Sequence, residues 1–255
     1  MSVVDDSFEH PLKPEEKAVG PLAGGILNHG FQCGMLWGAS LAAGAEAYER
    51  LGAGTKAEVA AVMTTQRLVE KFKARSGDKI NCIDIIGLNM QDNSGALKFI
   101  LKGGPIGCMR IIASYTPEAF EEIDSTLTVD DFEALAPPVS CAAKVVKAMG
   151  ASDEHAVMAA GFAGGIGLSG GACGAMGAAI WITALNSSED WTLEIGSTPD
   201  EGQEIIDRFV EASDIEFECC EIVGRKFENI GDHADYMRAG GCSEIIEALA
   251  AQPVG

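Results

Sequence analysis

Gly164-Gly165-Ile166, followed by Cys173-Gly174, has an earlier copy in the chain: Gly24-Gly25-Ile26, followed by Cys33-Gly34. In both copies the first glycine lies nine positions before the cysteine. Glycine lets the backbone adopt conformations closed to other residues and approach its neighbours closely, because it carries no Cβ. The repetition of such a stretch predicts that the chain contains two related units.

Two more landmarks recur in the same order. Cys82-Ile83-Asp84-Ile85-Ile86-Gly87 and Cys219-Cys220-Glu221-Ile222-Val223-Gly224 both read Cys, any residue, acid, Ile, Ile or Val, Gly. A basic residue and paired glycines then precede Cys108 and Cys242. The spacings are 49 and 46 positions between the first two cysteines, and 26 and 23 between the next two. Three landmarks at near-equal spacing predict an internal duplication.

The two repeats, 1–128 and 129–255, are predicted to be unequal. The place that Cys141 holds in the second repeat falls at Met1 in the first, so we expect the first repeat to lack this element. Cys220 has no counterpart either. The first repeat thus carries three of the eight cysteines, and the second carries four plus Cys220.

Helix signals dominate both repeats. Small residues follow Cys33 and Cys173, and serine, threonine and proline stand where helices would begin. The sequence therefore predicts a mainly α fold in which two pseudo-symmetric helical halves pack together. The predicted helices cover 34–50, 55–74, 141–149, 153–160, 174–186 and 199–212, with another beginning at 116, and weak strand signals cover 111–115 and 191–195.

The composition is that of a globular protein, with 47% hydrophobic and 22% charged residues. The first residues lack the basic region and apolar run of a signal peptide, and the longest apolar stretch is too short to span a bilayer. We therefore expect a cytoplasmic protein. Eight cysteines in such a protein are more often ligands or redox thiols than disulfides, although a buried cysteine can also serve as a small apolar residue.

The formal net charge of -20 bears on the partners. It argues against nucleic acid and against an anionic membrane, both of which would repel the chain. It suits a basic partner protein, or it serves only to keep the protein in solution. Pseudo-symmetric units also leave a homodimer open.

The spacing of the cysteines favours an iron–sulfur site over a zinc ribbon or a dithiol. No Cys-x-x-Cys occurs, which disfavours a zinc ribbon and a thioredoxin-type dithiol. Several cysteines follow glycines or stand where a helix would begin, and a helix N-terminus stabilises a thiolate. Four thiolates that converge from separate elements can bind an iron–sulfur cluster.

The second repeat resembles the redox-active protein family that is named for a Cys…Gly-Cys-Ala-x-x-Gly…Cys…Cys pattern. Cys141 matches the first cysteine, and Cys173 with Gly177 matches the central motif. Cys219 or Cys220 matches the third cysteine, and Cys242 matches the last. The resemblance covers 137–250 and extends to 20–115 through the repeat. It implies redox activity and a redox partner protein.

We distinguish two sets of cysteines. In one arrangement each set binds its own iron–sulfur cluster, with a 4Fe-4S cluster favoured. His29, water or substrate is then the fourth ligand of the cluster that the first set binds. An open iron would make the first site a candidate for oxidoreductase catalysis. In the other arrangement all the thiolates face one another and hold a single larger cluster, which Cys220 also serves. The first set is Cys33, Cys82 and Cys108; the second set is Cys141, Cys173, Cys219 (or Cys220) and Cys242.

Two other functions stay open. The neighbours Cys219 and Cys220 could form a strained, easily reduced disulfide and act as a metal-free redox switch. The same thiolates could also store zinc or copper.

Three further side chains are interpreted as structural. Trp37, one helical turn after Cys33, is expected to pack in the core, although it could also cover a cluster. His155 and His233 lie in acidic surroundings and are expected at the surface.

Overall fold

The computed structural model describes residues 1–9, 11–91, 93–187, 191 and 199–251. This part of the chain contains fourteen α-helices and no strand, so the prediction of a mainly α fold is confirmed. No helix within it is both long and apolar enough to cross a bilayer. In the first repeat the helices are α1 (Ser2–Ser7), α2 (Lys13–Ala18), α3 (Gly34–Leu51), α4 (Thr55–Ser76), α5 (Cys82–Ile86), α6 (Asn93–Leu101) and α7 (Gly104–Val129). In the second they are α8 (Cys141–Ala148), α9 (Asp153–Ala160), α10 (Gly174–Asn186), α11 (Asp200–Ala212), α12 (Cys219–Val223), α13 (Ile230–Arg238) and α14 (Ser243–Ala250).

The first repeat does not lack an element, so that prediction is wrong. Helices α1 and α2 precede its glycine-rich stretch, as α8 and α9 precede that of the second repeat. Helices α2 and α9 each begin 11 positions before the first glycine, at Lys13 and Asp153. What the first repeat lacks is the cysteine alone, because Met1 stands in the place of Cys141.

Several helices begin where the sequence predicts. Helix α10 covers 174–186 in full, and α3 begins at the predicted residue. The Ser140 hydroxyl accepts a hydrogen bond from the Ala143 amide at 3.2 Å and caps α8. Ser152 caps α9 in the same way, through the amide of His155 at 3.1 Å. These caps satisfy N–H groups that the first turn of a helix leaves without partners.

Helix α7 corrects two predictions, since it runs without a break through both the predicted strand at 111–115 and the predicted helix start at Thr116. Pro117 lies inside the helix, where proline normally costs about 3 kcal/mol. Buried residues at four-residue spacing face α4 along α7 and offset this cost. They are Tyr115, Ala119, Ile123 and Leu127.

The remaining two predictions fall near the edge of the described residues. The predicted strand at 191–195 lies outside them apart from Trp191. The helix predicted from 199 begins at Asp200, with Pro199 as its N-cap residue.

The two halves interlock through reciprocal helix contacts. Helix α3 packs against α9 of the second repeat, and its equivalent α10 packs against α2, the equivalent of α9. At the first crossing Gly44 has no room for a side chain, because a Cβ there would lie 2.4 Å from the Met158 carbonyl oxygen. The fully buried Trp37 packs edge-on against Phe162, with ring centroids 4.6 Å apart. Trp37 is therefore part of the core between the repeats.

Candidate functional site

Each repeat contains a left-handed turn just before its cysteine. Five consecutive residues, 24–28 and again 164–168, have φ between 48° and 79°. A residue with a side chain adopts this conformation at a cost of about 1–2 kcal/mol, so a run of five is unusual. Ile26 and Ile166 are fully buried in it, and their burial offsets part of the cost. The turn thus sets the direction of the residues that follow it and lead to Cys33 or Cys173.

In the second repeat the chain that follows the turn pairs briefly with the segment before α12. Ala172 forms a β-bridge with Glu218. The Cys173 amide donates to the Phe217 carbonyl at 2.8 Å, and the Cys219 amide donates to the Gly171 carbonyl at 2.7 Å. The bridge fixes Cys173 and Cys219 beside each other.

The first repeat has the same bridge, between Gln32 and Asn81. The Cys33 amide donates to the carbonyl of residue 80 at 2.8 Å, and the Cys82 amide donates to that of Phe31 at 2.6 Å. The pairing therefore makes Cys82 the equivalent of Cys219, and Ile83 the equivalent of Cys220.

The structure brings the whole second set together from four helix starts. Cys141 and Cys219 are the first residues of α8 and α12, while Cys173 and Cys242 are the N-cap residues of α10 and α14. All but Cys242 are buried. Burial raises the pKa of the Cys219 thiol far above its usual range, and the other three thiols of the set raise it further. Their mutual influence indicates that the four thiols lie near one another, and Cys220, the neighbour of Cys219, adds a smaller effect.

Backbone amides face these sulfurs. The Ala175 and Met176 amides, in the first turn of α10, lower the pKa of Cys173, although burial outweighs them and the pKa is raised overall. The Gly164 amide acts in the same sense on Cys141, whose pKa burial also raises. The left-handed turn therefore delivers an N–H group to the cysteine that the family pattern places first.

One contributing residue carried no signal in the sequence. The hydroxyl of Tyr236 faces Cys242 and lowers the pKa of its thiol, which burial and the Cys141 thiol raise to about 11. At the equivalent place the first repeat has Phe99, which has no hydroxyl. Only the duplication, aligned residue by residue from Cys82, could have pointed to this difference.

Cys220 is less buried than its neighbour Cys219. It is half-buried, and its sulfur lies 3.6 Å from a carboxylate oxygen of Glu221. Burial raises the pKa of the Cys220 thiol somewhat, and Glu221 and Glu218 add to the rise. Ile83, its counterpart, is exposed as well. The register of the bridge thus turns Cys219 inward and Cys220 outward.

The spacing of the sulfurs bears on which metal group fits. Among the described residues, the metal-type group whose ligand atoms all lie within 4.8 Å of one another is Glu218, Cys220 and Glu221. No three cysteine sulfurs approach that closely in this part of the chain. A single zinc ion bound at 2.3 Å would hold its thiolates about 3.8 Å apart. The cysteine sets are thus wider than a mononuclear site.

The first set lines a cavity of about 270 Å³. Cys33 is the N-cap residue of α3, Cys82 is the first residue of α5, and Cys108 lies one turn inside α7. Burial raises the pKa of Cys33 to about 12, with added effects of Cys82 and Cys108, and it raises the pKa of Cys82 to about 11. Met35 and Phe99 share the lining, so the walls are largely apolar.

His29 does not lie with the first set. Its ring nitrogen Nδ1 is 2.9 Å from the Gln91 amide nitrogen, and its ring stacks on Phe31 at 6.2 Å. Asn28 lines the cavity of the first set, but its neighbour His29 is not among the described residues that line it. Burial lowers the pKa of His29.

His155 and His233 correct the surface prediction. His233 is buried, with Nδ1 at 2.8 Å from the Val139 carbonyl oxygen, and burial lowers its pKa. His155 is half-buried, and its Nε2 lies 3.1 Å from a carboxylate oxygen of Glu15. Acidic neighbours in the sequence did not reveal these tertiary partners.

The two bridges meet where the repeats join. The rings of Phe31 and Phe217 stack with centroids 5.2 Å apart. Each of these residues accepts the hydrogen bond that holds a cysteine of its own repeat in place. The two sets thus lie on either side of one aromatic contact.

Comparison with known proteins gives one match. The family model described as "Putative redox-active protein (C_GCAxxG_C_C)" matches the chain twice, at residues 1–121 and 139–252. A search of the curated proteins and a search of the solved structures each found no match. The first match begins at the first residue, in agreement with the presence of α1 and α2. The chain therefore belongs to the C_GCAxxG_C_C family of redox-active proteins and contains two copies of the family's unit.

Proposed function

We propose that this protein is an iron–sulfur redox protein that exchanges electrons with a partner protein. One observation carries the proposal: the four thiols of the second set converge from four helix starts and stand wider apart than one metal ion requires. A 4Fe-4S cluster suits such a set, because each thiolate binds a different iron.

The second set would hold one cluster through Cys141, Cys173, Cys219 and Cys242. A bound iron–sulfur cluster supplies a one-electron couple. The chain's own part is to exclude water and to direct amide N–H groups at the sulfurs, those of Gly164 and Ala175 among them. Such N–H groups stabilise negative charge on sulfur and so favour the reduced state.

The first set would hold a second cluster with three thiolates. The cavity that these thiols line gives access to a fourth position, which the chain fills with no cysteine. This site is therefore the candidate for binding a substrate, and oxidoreductase activity belongs here if the protein is an enzyme. Thiols influence the pKa of members of their own set, which favours two separate sites over one shared cluster.

The alternatives have less support. A disulfide between Cys219 and Cys220 would engage the buried Cys219 thiol and remove it from the second set, whose other three thiols all act on it. A zinc or copper store would require sulfurs closer together than those of either set.

The test is anaerobic reconstitution of Cys219→Ser and Cys220→Ser with iron and sulfide. We expect Cys219→Ser to lose the iron and sulfide of one cluster, because serine is a poor replacement for a thiolate in the set. Cys220→Ser is the matched control, one residue away, and should bind as much as the wild type. Equal losses in both variants, or none in either, would contradict the proposal.

A further inference from the structure

The first repeat exposes an apolar surface beside its cysteines. Five large apolar side chains on α6 and the first turns of α7 are between 55% and 75% exposed. The two helices pack against each other, and exposed apolar residues on adjoining elements commonly mark a place where another molecule binds. The five residues, called here the α6–α7 patch, are Leu97, Ile100, Leu101, Ile106 and Met109.

Positive charge surrounds the α6–α7 patch. Residues 93–117 contain Lys98, Lys102 and Arg110 and no aspartate or glutamate, in a chain whose net charge is -20. All three basic side chains are exposed, and none forms an ion pair with a described residue. The local charge is therefore opposite to that of the whole molecule.

The second repeat shows that the fold does not require this surface. Helix α13 is the equivalent of α6, and it packs against α4. Ala234 and Met237 are buried there, at the positions of Leu97 and Ile100. Two of the three equivalent charges are reversed as well, because Asp235 stands for Lys98 and Glu244 stands for Arg110, while Arg238 keeps a positive charge beside the position of Lys102. The patch is thus a property of the first repeat alone.

The patch borders the open cysteine site. Cys108 lies between Ile106 and Met109 on α7, and Phe99, within α6, lines the cavity with Cys33 and Cys82. A protein seated on the patch would bring its own redox centre close to the first set.

We propose that the α6–α7 patch is the docking surface for an acidic electron-carrier protein. This inference rests on the proposed redox function and names the partner's chemistry. Charge decides between occupants. A symmetric pair of patches would oppose two groups of three positive charges. An extended anionic membrane would also face the acidic remainder of the chain, whereas a protein that contacts the patch alone meets its three positive charges, and screening weakens the repulsion from more distant acidic groups. An acidic protein with an apolar centre to its binding face complements both features.

The test uses an acidic two-cluster ferredoxin as the probe and measures its affinity by titration calorimetry at low and high salt. Lys98→Glu/Lys102→Glu/Arg110→Glu should weaken binding at least tenfold and flatten its dependence on salt, since exposed charges are screened. The matched control is Lys56→Glu/Lys71→Glu/Lys73→Glu on α4, which changes the net charge equally and should change the affinity less than twofold. Circular dichroism checks that both variants are folded.

Several results would overturn the proposal. They are absence of ferredoxin binding to the wild type, equal binding by both triple variants, self-association of the wild type that the patch variant abolishes, and binding to phosphatidylglycerol vesicles through the patch. The affinity for ferredoxin and the uptake of iron are measured separately. A protein that binds ferredoxin through the patch but takes up no iron would therefore contradict the proposed function and leave the docking surface in place.

Discussion

At the scale of single residues, one position along the chain separates the buried thiol of Cys219 from the half-buried thiol of Cys220. The sequence left open whether Cys219 or Cys220 belongs to the second set. The signal was present in the duplication, because Cys82 aligns with Cys219 and Ile83 aligns with Cys220 without a gap. The difference in burial between the two thiols depends on the bridge between Ala172 and Glu218. This contact is distant in sequence, so no local pattern predicts it.

Asp5 gives a pH-dependent prediction. Its carboxyl group is buried with one oxygen that has no hydrogen-bond partner, and burial raises its pKa from 3.8 to about 7. The folded state therefore favours the protonated acid, and the free energy of unfolding falls as pH rises from about 4 to about 7. The charged groups that face it are the Met1 amine, Glu16, Asp6 and Lys13.

We expect Asp5→Asn to remove this dependence. The thermal midpoint of the wild type should fall relative to that of the variant by a few degrees between about pH 5 and about pH 8. Circular dichroism melts of both proteins in matched buffers provide the measurement. Parallel curves for the two proteins across this range would show that Asp5 keeps an ordinary pKa.

At the scale of elements, the left-handed turn is the feature on which the second set depends. Gly165 has φ of 75°, and a Cβ there would lie 2.3 Å from the Gly171 carbonyl oxygen. Gly224 has nearly the same φ, 76°, but nothing lies within 4 Å of its Cβ position. The two glycines share the backbone requirement and differ in the space around them.

Gly165→Ala should therefore cost much more stability than Gly224→Ala. Alanine at residue 224 meets only the penalty of a left-handed residue, about 1 kcal/mol. Alanine at residue 165 must also displace the chain that carries Gly171 and Cys173, so we expect a loss several times larger. Urea unfolding of both variants measures the difference. Similar losses would mean that the turn adapts and does not fix the bridge.

Most helices were predictable because their signals are local. Ser140 and Ser152 cap helices through their own neighbouring amides, and the residues after Cys173 form α10 throughout. Helix α7 was missed because its continuity through Pro117 depends on packing against α4, a contact distant in sequence. In the candidate site, too, the features with local signals could be predicted and those that depend on tertiary contacts could not. The cysteines were visible in the sequence, whereas their orientation and the hydroxyl of Tyr236 depend on tertiary contacts.

At the scale of the whole molecule, the repeats form one interlocked body. Helix α3 packs against α9, and α10 packs against α2, so one continuous core joins the two halves. Gly44 makes the first of these crossings possible, since a Cβ at this position would collide with the Met158 backbone. Gly107, in α7, has nothing within 4 Å of its Cβ position.

These two helical glycines should respond to alanine with opposite signs. Gly107→Ala should leave stability unchanged or raise it by up to about 1 kcal/mol, through better helix propensity. Gly44→Ala should lower it by several kcal/mol, because the helices must move apart. Calorimetry should show one transition for the whole chain in each case. A stabilised Gly44→Ala variant, or two separate transitions, would contradict an interlocked fold.

The central claim is that two sets of cysteines hold iron–sulfur clusters. The most direct measurement is the iron and acid-labile sulfide content of anaerobically reconstituted wild-type protein, together with its electron paramagnetic resonance spectrum after reduction. We expect a brown protein with iron and sulfide in about equal amounts, enough for two clusters, and a paramagnetic signal of reduced iron–sulfur centres. A colourless protein that retains no iron after reconstitution would contradict the claim.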